Sequence, residues 1–216
     1  MPKQTFFNLS EERQKEITDI SLKEFSSNTF EIASMNSIIN EVGVAKGSFY
    51  RYFETKKDLY LFLLEYALNK KLEYLKQYTD TSSEDFFEIY KNIIFGYMKF
   101  DLLFPVISCF LKKAVQNGSI EEIQFGKSKS GKIFANKLIE KAQKEGKIKK
   151  NLDPDFILFS IIGISDAMIS YINYKYGVKY NEMIKKLEHT PNPYEKELKL
   201  VFNQLVDVLK TGLIGS

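Results

Sequence analysis

The sequence predicts an all-α protein. Apolar residues recur at a spacing of roughly 3.6 along most of the 216 residues, which is the period of an α-helix. No Asn-Gly or Asp-Gly turn lies between alternating apolar runs, as one would in a β-hairpin. Asp153 and Asn192 each place a capping side chain directly before a proline at a first helical position. We therefore expect about nine helices, arranged as an N-terminal three-helix unit and a longer helical bundle.

The first two predicted helices are defined by capping serines. Ser10 is an N-cap for a helix that ends near Asn28, and Asn28 can adopt the left-handed conformation of a C-cap. Ser34 caps a second helix, whose apolar residues fall at positions i, i+3, i+4 and i+7 of one face. These residues are Met35, Ile38, Ile39 and Val42.

A glycine turn joins the second helix to a short third helix. Gly43 ends the second helix, and the third helix covers about residues 45–52, with Phe49 and Phe53 as its core contacts. Two short helices joined by a glycine-containing turn form a helix-turn-helix. Thr55 then caps a fourth, longer helix, in which Asp58 can make the reciprocal contact of a capping box.

The rest of the chain continues as helices. They are expected to start at Ser82 or Ser83, to run from Pro105 to Gln116 and from about Ile120 to Glu145, and to cover about residues 154–176 and 193–211. No low-complexity linker separates these segments. The predicted domains are therefore a helix-turn-helix domain of residues 1–55 and a helical domain of residues 56–216.

Composition favours a folded protein inside the cell. Hydrophobic residues make up 44% of the chain, enough for a sizeable core. The single cysteine, Cys109, cannot form an intramolecular disulfide and is expected to be a buried apolar residue, and the first residues lack the features of a signal peptide. The apolar run 156–174 carries Asp166 at its centre, which favours a buried or interface helix over a membrane span. We expect a cytoplasmic location and no membrane partner.

Residues 43–59, GVAKGSFYRYFETKKDL, interleave aromatic and basic side chains. Between residues 44 and 57 there are four Lys or Arg residues, and Glu54 is the one acidic residue. In a helix-turn-helix, the second helix enters the DNA major groove with its first residues at the base edges, while flanking groups bind phosphates. The pattern therefore favours DNA binding, although a solvated basic surface and a helix-turn-helix without a DNA partner remain alternatives.

Each polar residue of this stretch has an expected role. Lys46, Gly47 and Ser48 lie at the exposed start of the third helix, where Lys46 can reach a guanine edge or a phosphate. Tyr50 and Tyr52 can donate hydroxyl hydrogen bonds to phosphates. Lys56 lies in the first turn of the fourth helix, where the free backbone N–H groups also favour an anion.

The stretch SMNSIINEVGVAKGSFYRYFETKKDL resembles the signature of the TetR family of transcriptional regulators. The similarity spans about residues 10–62; beyond it, the chain is similar in helical layout and in GKIKKNLDPDFILFSIIGI. The resemblance implies an all-α homodimer with an N-terminal DNA-binding unit and a C-terminal domain that holds a ligand cavity. Carried over by position, the DNA contacts would come from Ser34, Asn36, Lys46, Gly47, Ser48, Tyr50, Tyr52 and Lys56.

Three positions depart from the family pattern. Ala45 stands where the family usually has Ser or Thr, so the third helix lacks a side-chain cap, a loss of about 1 kcal/mol at most. Asn28 replaces the usual turn glycine, and Ile39 replaces the usual alanine of the second helix. None of the three removes a DNA contact.

The larger domain is rich in Phe and Tyr, and most of these side chains are expected to be core. A subset is expected to line an apolar pocket for an unidentified small-molecule effector, together with Asp166, whose alternative role is at a helix or dimer contact. The predicted ligand residues are Tyr66, Phe86, Tyr90, Tyr97, Phe104, Phe110, Phe125, Asp166 and Tyr171.

The last two predicted helices are apolar on more than one side, so two copies are expected to pack as a four-helix interface. A dimer would also read two DNA half-sites about 34 Å apart. The predicted interface residues are Phe159, Ile162, Ile169, Leu198, Phe202, Leu205 and Leu209.

No catalytic constellation is present in the sequence. One histidine and one cysteine exclude His-based triads and multi-His metal sites, so we expect no catalytic residues, no metal and no cofactor. The best-supported interpretation is a ligand-responsive repressor that binds a palindromic DNA operator as a homodimer. The alternatives are an enzyme that uses the aromatic pocket, a helical protein-interaction module, and a small-molecule-binding protein without DNA binding.

Overall fold

A computed structural model of the protein describes residues 2–78, 85–116, 129–176 and 195–213. The described residues contain no β-strand, which confirms the predicted all-α class. They form ten α-helices and, after the fifth, a 3₁₀ turn at Lys76–Tyr78. The helices are α1 Gln4–Phe7, α2 Glu11–Ser27, α3 Met35–Val42, α4 Lys46–Tyr50, α5 Lys56–Leu75, α6 Phe86–Leu103, α7 Pro105–Gln116, α8 Lys129–Lys144, α9 Pro154–Tyr176 and α10 Glu195–Leu213.

The chain packs as two compact units. Unit 1 comprises Met1–Glu73 and Phe104–Glu121, and unit 2 comprises Tyr74–Leu103 and Glu122–Ser216. Unit 1 therefore holds the helix-turn-helix together with most of α5 and all of α7. The domain boundary at residue 55 is a functional division and stays a prediction.

Local side-chain caps set the starts of the helices in unit 1. The hydroxyl oxygens of Ser10 and Ser34 accept hydrogen bonds from the backbone N–H groups of residues 13 and 37, at 3.3 and 3.2 Å. Thr55 and Asp58 form the predicted capping box, with Asp58 N–H donating to Thr55 Oγ1 at 3.0 Å and Thr55 N–H donating to Asp58 Oδ2 at 3.1 Å. These caps confirm the predicted helix starts.

The end of α2 differs from the prediction. Asn28 has φ −119° and ψ 154°, which is extended backbone rather than the predicted left-handed C-cap. Its side-chain amide donates to the carbonyl of Glu24 at 3.3 Å and to Glu24 Oε1 at 3.1 Å. The side chain therefore satisfies an end carbonyl of α2, so the backbone needs no left-handed turn there.

Unit 1 has an aromatic core. Tyr60 lies between Phe25 and Phe110, with ring centroids 5.2 and 5.3 Å away, and these contacts join α2, α5 and α7. The predicted core residues Phe49 and Phe53 are both fully buried. Burying such rings supplies much of the stability of a small helical unit.

Two polar contacts fix α7 against the end of α2. The Cys109 thiol donates to the carbonyl of Ser26 at 3.3 Å, and Lys113 Nζ donates to the carbonyl of Ser27 at 2.6 Å. Cys109 is exposed, so the expectation of a buried apolar cysteine is wrong. It lies at the surface, where its thiol bonds the carbonyl of Ser26. The last carbonyls of α2 have no partner within that helix.

Unit 2 has its own core, built from α6, α8, α9 and α10. Asp85 Oδ1 accepts from the N–H of Phe87 at 2.9 Å at the start of α6, and Asp153 Oδ1 accepts from the N–H of Phe156 at 2.9 Å at the start of α9, as predicted for Asp153. Gly146, with φ +75°, follows α8 at the predicted end of that helix. The predicted helix starts at Ser82 or Ser83, Ile120 and Asn192 lie outside the described residues.

Gly96 of α6 lies directly under the ring of Tyr78. A Cβ added at Gly96 would be 2.5 Å from Cδ2 and 2.6 Å from Cγ of Tyr78. The Tyr78 hydroxyl also lies 3.3 Å from the hydroxyl of Tyr74. Burial and this hydrogen bond raise the pKa of Tyr74.

Gly96→Ala is expected to destabilise the protein by about 1–3 kcal/mol, because overpacking against the inner atoms of a ring forces the two elements apart. The measurement is urea unfolding of wild type and variant. Gly212→Ala is the matched control, since a Cβ at Gly212 of α10 meets nothing within 4 Å. A Gly96→Ala variant as stable as wild type would show that Tyr78 moves aside without cost.

In the described parts of the chain, no single helix is long and apolar enough to cross a membrane. Two helical segments, residues 86–101 and 105–115, are bent at the break between them and together would be long and apolar enough, by length and composition alone.

Candidate functional site

The helix-turn-helix is formed by α3 and α4, which are joined by residues 43–45. Gly43 adopts φ +72° and ψ 35°, a left-handed conformation that favours glycine, and its N–H donates to the carbonyl of Ile39 at 3.1 Å. Arg13 of α2 donates from Nη2 to the carbonyl of Val42 at 2.8 Å. The turn is therefore fixed both by its own backbone and by α2.

One side of α4 is buried and the other faces solvent. Phe49 is fully buried, whereas Lys46 and Gly47 are exposed and Ser48 and Tyr50 are half-buried. The absence of a side-chain cap at Ala45 is as predicted, since no side chain bonds to the first turn of α4. The helix thus presents its first residues outward, as the sequence predicted.

Lys46 and Tyr50 have polar groups that are available to a partner. Neither the Lys46 ammonium nor the Tyr50 hydroxyl makes a hydrogen bond or ion pair with any described residue. Asn36 of α3 is also exposed and likewise has no partner in the described part of the chain. Asn36, Lys46 and Tyr50 are therefore unengaged polar side chains of the helix-turn-helix.

The geometry of unit 1 does not require a glycine at position 47. Its φ is not positive, since the positive-φ glycines in the described residues are Gly43 and Gly146. A Cβ at Gly47 would meet nothing within 4 Å. A glycine inside a helix costs about 0.5–1 kcal/mol relative to alanine. Neither a positive φ nor a close contact within unit 1 requires a glycine at this position.

Other predicted contacts are already engaged. Lys56 Nζ donates to the carbonyl of Glu31 at 3.1 Å and lies 5.0 Å from the centre of the Phe30 ring. The Ser34 hydroxyl caps α3, and the Ser34 N–H donates to Glu24 Oε1 at 2.8 Å. Lys56 and Ser34 therefore hold the segment between α2 and α3 in place.

Tyr52 is half-buried, with its ring 6.2 Å from Phe49 and 6.5 Å from Phe6. Its hydroxyl has no hydrogen-bond partner in the described part of the chain. The ring therefore packs on the motif while the hydroxyl stays available, which is the arrangement the sequence predicted for a phosphate contact.

Arg51 and Lys57 were absent from the predicted contacts. Both are exposed, and neither side chain is paired within the described residues. By contrast, Lys3 and Lys23 are paired with the acidic residues Glu54 and Glu41, at 3.4 and 3.1 Å. The basic character of residues 43–59 pointed to Arg51 and Lys57, but it could not show which cations of the unit are paired.

Comparison with known proteins relates the chain to one family of regulators. Residues 17–62 match the family model described as bacterial regulatory proteins, tetR family. Over its full length, the chain is similar to the crystal structure of a TetR family transcriptional regulator from Chloroflexus aurantiacus J-10-FL, with 26% sequence identity, a TM-score of 0.81 and 100% of both chains covered. Residues 17–62 therefore carry the helix-turn-helix segment of the TetR family.

The chain is also similar to two further regulators. An HTH-type transcriptional regulator of Staphylococcus aureus is 33% identical over 75 residues, which is 35% of this chain and 40% of that protein. The matched segment thus spans about two fifths of the length of this curated relative. A ketosteroid transcriptional regulator of Mycobacterium tuberculosis shares the fold, with 13% identity, a TM-score of 0.64 and coverage of 97% of this chain and 98% of that chain.

The predicted ligand residues divide between the two units. Tyr66, Phe104 and Phe110 belong to unit 1, and Phe110 is a core residue there. In unit 2, Phe86 and Tyr90 are buried, with parallel rings 6.5 Å apart, and are core residues. Tyr97 and Tyr171 are exposed, whereas Phe125 and the side chain of Asp166 lie outside the described residues.

A cleft of about 300 Å³ in unit 2 is lined by polar residues of α8 and the loop that follows it. Its lining residues are Glu140, Gln143, Lys144 and Lys150. None of them belongs to the predicted ligand set, and a polar lining does not fit the apolar pocket that the sequence predicted.

The predicted interface residues fall into two groups. Phe159 and Ile162 of α9 are exposed, at 76% and 52%. Phe202 and Leu209 of α10 are buried in the unit 2 core, so their prediction as interface residues is better replaced by a core role. Leu205 is partly buried against the same core, and the side chains of Ile169 and Leu198 lie outside the described residues.

An exposed stripe runs along α9. Its members recur at spacings of three and four residues, so they lie on one side of the helix, and all are exposed. Aromatic residues stand at the two ends and small residues in the middle, which allows a second helix to approach closely. The α9 stripe consists of Phe156, Phe159, Gly163, Ala167, Ser170 and Tyr174.

Proposed function

We propose that this protein is a ligand-responsive, sequence-specific DNA-binding transcriptional regulator. It binds a palindromic operator as a homodimer, acts as a repressor, and is released by a small, largely apolar or aromatic effector. Its place of action is the cytoplasm. The family supports a regulator rather than an enzyme.

One observation carries the DNA-binding part of the proposal. The first turn of α4 presents Lys46 without a partner among the described residues, beside Gly47, whose missing side chain serves no purpose inside unit 1. A cation beside exposed backbone fits the DNA major groove, which is flanked by phosphates and presents the base edges. Arg51 and Lys57 add unpaired positive charge to the same stretch of chain.

The homodimer is supported by the α9 stripe. Monomeric proteins rarely expose large contiguous apolar patches to water. Phe156, Phe159 and Tyr174 of this row are exposed at 63%, 76% and 88%. Packing of α9 against its copy would bury them, and two recognition helices would then meet two half-sites of a palindrome.

The effector acts by shifting the dimer between two conformations. A small molecule releases the protein from DNA if it binds more tightly to a dimer whose α4 helices no longer match the half-site spacing. Among the predicted ligand residues, Tyr66 and Phe104 are half-buried in unit 1, and Tyr97 and Tyr171 are exposed in unit 2.

Lys46→Ala is expected to weaken DNA binding and to reduce the slope of log affinity against log salt concentration by about 1, since one cation–phosphate contact is lost. If Lys46 instead contacts a base edge, the loss is confined to the operator. Affinity is measured over a salt series. Lys15→Ala is the matched control: it removes the same charge from α2, where Lys15 is paired with Asp19 at 2.8 Å. Equal affinities and slopes for both variants and wild type would contradict the assignment of Lys46.

A further inference from the structure

Residues 2–9 lie outside the segment that matches the family model, and they pack within unit 1. We call residues 2–9 the N-terminal segment; it contains α1, Gln4–Phe7. The side-chain amide of Gln14 on α2 donates to the carbonyls of Phe7 and Leu9, at 3.3 and 2.8 Å. The segment is therefore attached to the body of the unit at its end nearest α2.

The other end of the N-terminal segment meets the end of α4. The backbone N–H of Lys3 donates to the carbonyl of Tyr52 at 2.9 Å, and the hydroxyl of Thr5 donates to the carbonyl of Arg51. These two carbonyls follow the last residue of α4, where a helix leaves acceptors without partners of its own. The N-terminal segment thus donates hydrogen bonds to two consecutive residues that follow α4, the recognition helix of the helix-turn-helix.

Phe6 adds an apolar contact at the same place. It is 1% exposed, and its ring centre lies 4.9 Å from that of Phe53 and 5.1 Å from that of Phe62. Phe53 follows α4 and Phe62 lies on α5, so Phe6 closes the turn between these helices. Tyr52, a predicted phosphate contact, lies within 6.5 Å of the same ring.

The orientation of α4 depends on contacts with other parts of unit 1. With five residues, α4 is far shorter than a helix that is stable by itself, and it has no side-chain cap at its start. Its orientation is therefore set by what holds its two ends. Gly43 and Arg13 fix the turn before it, and the N-terminal segment holds the residues after it.

We propose that Thr5 and Phe6 are positioning residues for DNA recognition, which hold the end of α4 so that its first residues, Lys46 to Ser48, keep their orientation at the base edges of the operator. This inference rests on the proposed function. It assigns to the N-terminal segment a part in sequence-specific binding through its contacts with residues 51–53.

The test compares Thr5→Val with Thr5→Ser. Valine has nearly the shape of threonine but lacks the hydroxyl, whereas serine keeps it. We expect Thr5→Val to lower operator affinity roughly fivefold, the equivalent of one hydrogen bond, and to leave affinity for random-sequence DNA unchanged. Thr5→Ser is expected to bind the operator as wild type does. A Thr5→Val variant with wild-type operator affinity, or one that loses operator and random-sequence DNA equally, would overturn the proposal.

Phe6→Leu and Phe7→Leu form a second pair. Both residues are in α1, but Phe7 is 49% exposed whereas Phe6 is buried. We expect Phe6→Leu to reduce the ratio of operator to random-sequence affinity and Phe7→Leu to leave it unchanged, at a temperature where both variants are folded. Equal ratios for the pair would overturn the role of Phe6. If wild type itself prefers no sequence, the proposed function fails, which is a separate result.

Discussion

Phe159→Asp is expected to convert a dimer into folded monomers. Phe159 is 76% exposed in the single chain, so the substitution removes little packing from unit 2. In a dimer formed through the α9 stripe, the new carboxylate would be buried without a partner, which weakens association by roughly 3 kcal/mol, or about a hundredfold. Operator affinity should fall with it, because a monomer reads one half-site alone. Sedimentation or light scattering over a concentration series measures the change.

Leu72→Asp is the control for this prediction. Leu72 is 39% exposed on α5, so an acidic residue is introduced at an exposed apolar position of unit 1 rather than of unit 2. We expect this variant to dimerise as wild type does. A Phe159→Asp protein that stays dimeric, with the same thermal stability as wild type, would place the dimer contact elsewhere.

Gly47→Ala is expected to change stability and DNA affinity in opposite directions. The added methyl group enters open space on a helix, so the free energy of unfolding should rise by about 0.5–1 kcal/mol. The same methyl group would separate the α4 backbone from DNA, and affinity should fall by an amount typical of a lost base contact, about 1–3 kcal/mol. Urea unfolding and operator binding measure the two changes.

Gly212→Ala separates the two effects of an alanine. Gly212 also lies in a helix with open space around its Cβ, but on α10. This variant should leave operator affinity unchanged. If Gly47→Ala binds the operator as wild type does, the glycine is not needed for close approach, and the main support for the DNA-binding surface is lost.

Local interactions explain which parts of the fold the sequence predicted. The caps at Ser10, Ser34, Thr55 and Asp153 depend on residues three positions away, so the sequence contains the whole interaction. Helix α1 was not predicted, because four residues show no periodicity and Phe6 is held by rings distant in sequence.

Tertiary contacts explain the errors. The apolar periodicity of α10 identifies a buried face, but it does not say whether the same chain or a second copy covers that face, and Phe202 and Leu209 proved to be core. Cys109 was expected to be buried, as cysteines usually are. It is exposed, and its thiol donates a hydrogen bond to the carbonyl of Ser26 at the end of α2.

The candidate site was predictable in outline. The burial of Phe49 and Phe53 leaves the first turn of α4 facing outward, and their spacing is visible in the sequence. The sequence could not show that Lys56 is engaged by the carbonyl of Glu31, 25 positions away, while Lys46 has no partner among the described residues. Which cations are free depends on the packed structure.

The most direct test of sequence-specific DNA binding is selection from a random-sequence DNA pool with the purified protein at moderate salt, followed by sequencing of the retained DNA. We predict enrichment of a palindrome, with half-sites about one helical turn apart, and loss of that enrichment in a Lys46→Ala/Tyr50→Phe double variant. Retained DNA without a common sequence, identical for wild type and the double variant, would contradict the proposed function and would favour an interaction module or a small-molecule-binding protein without a DNA partner.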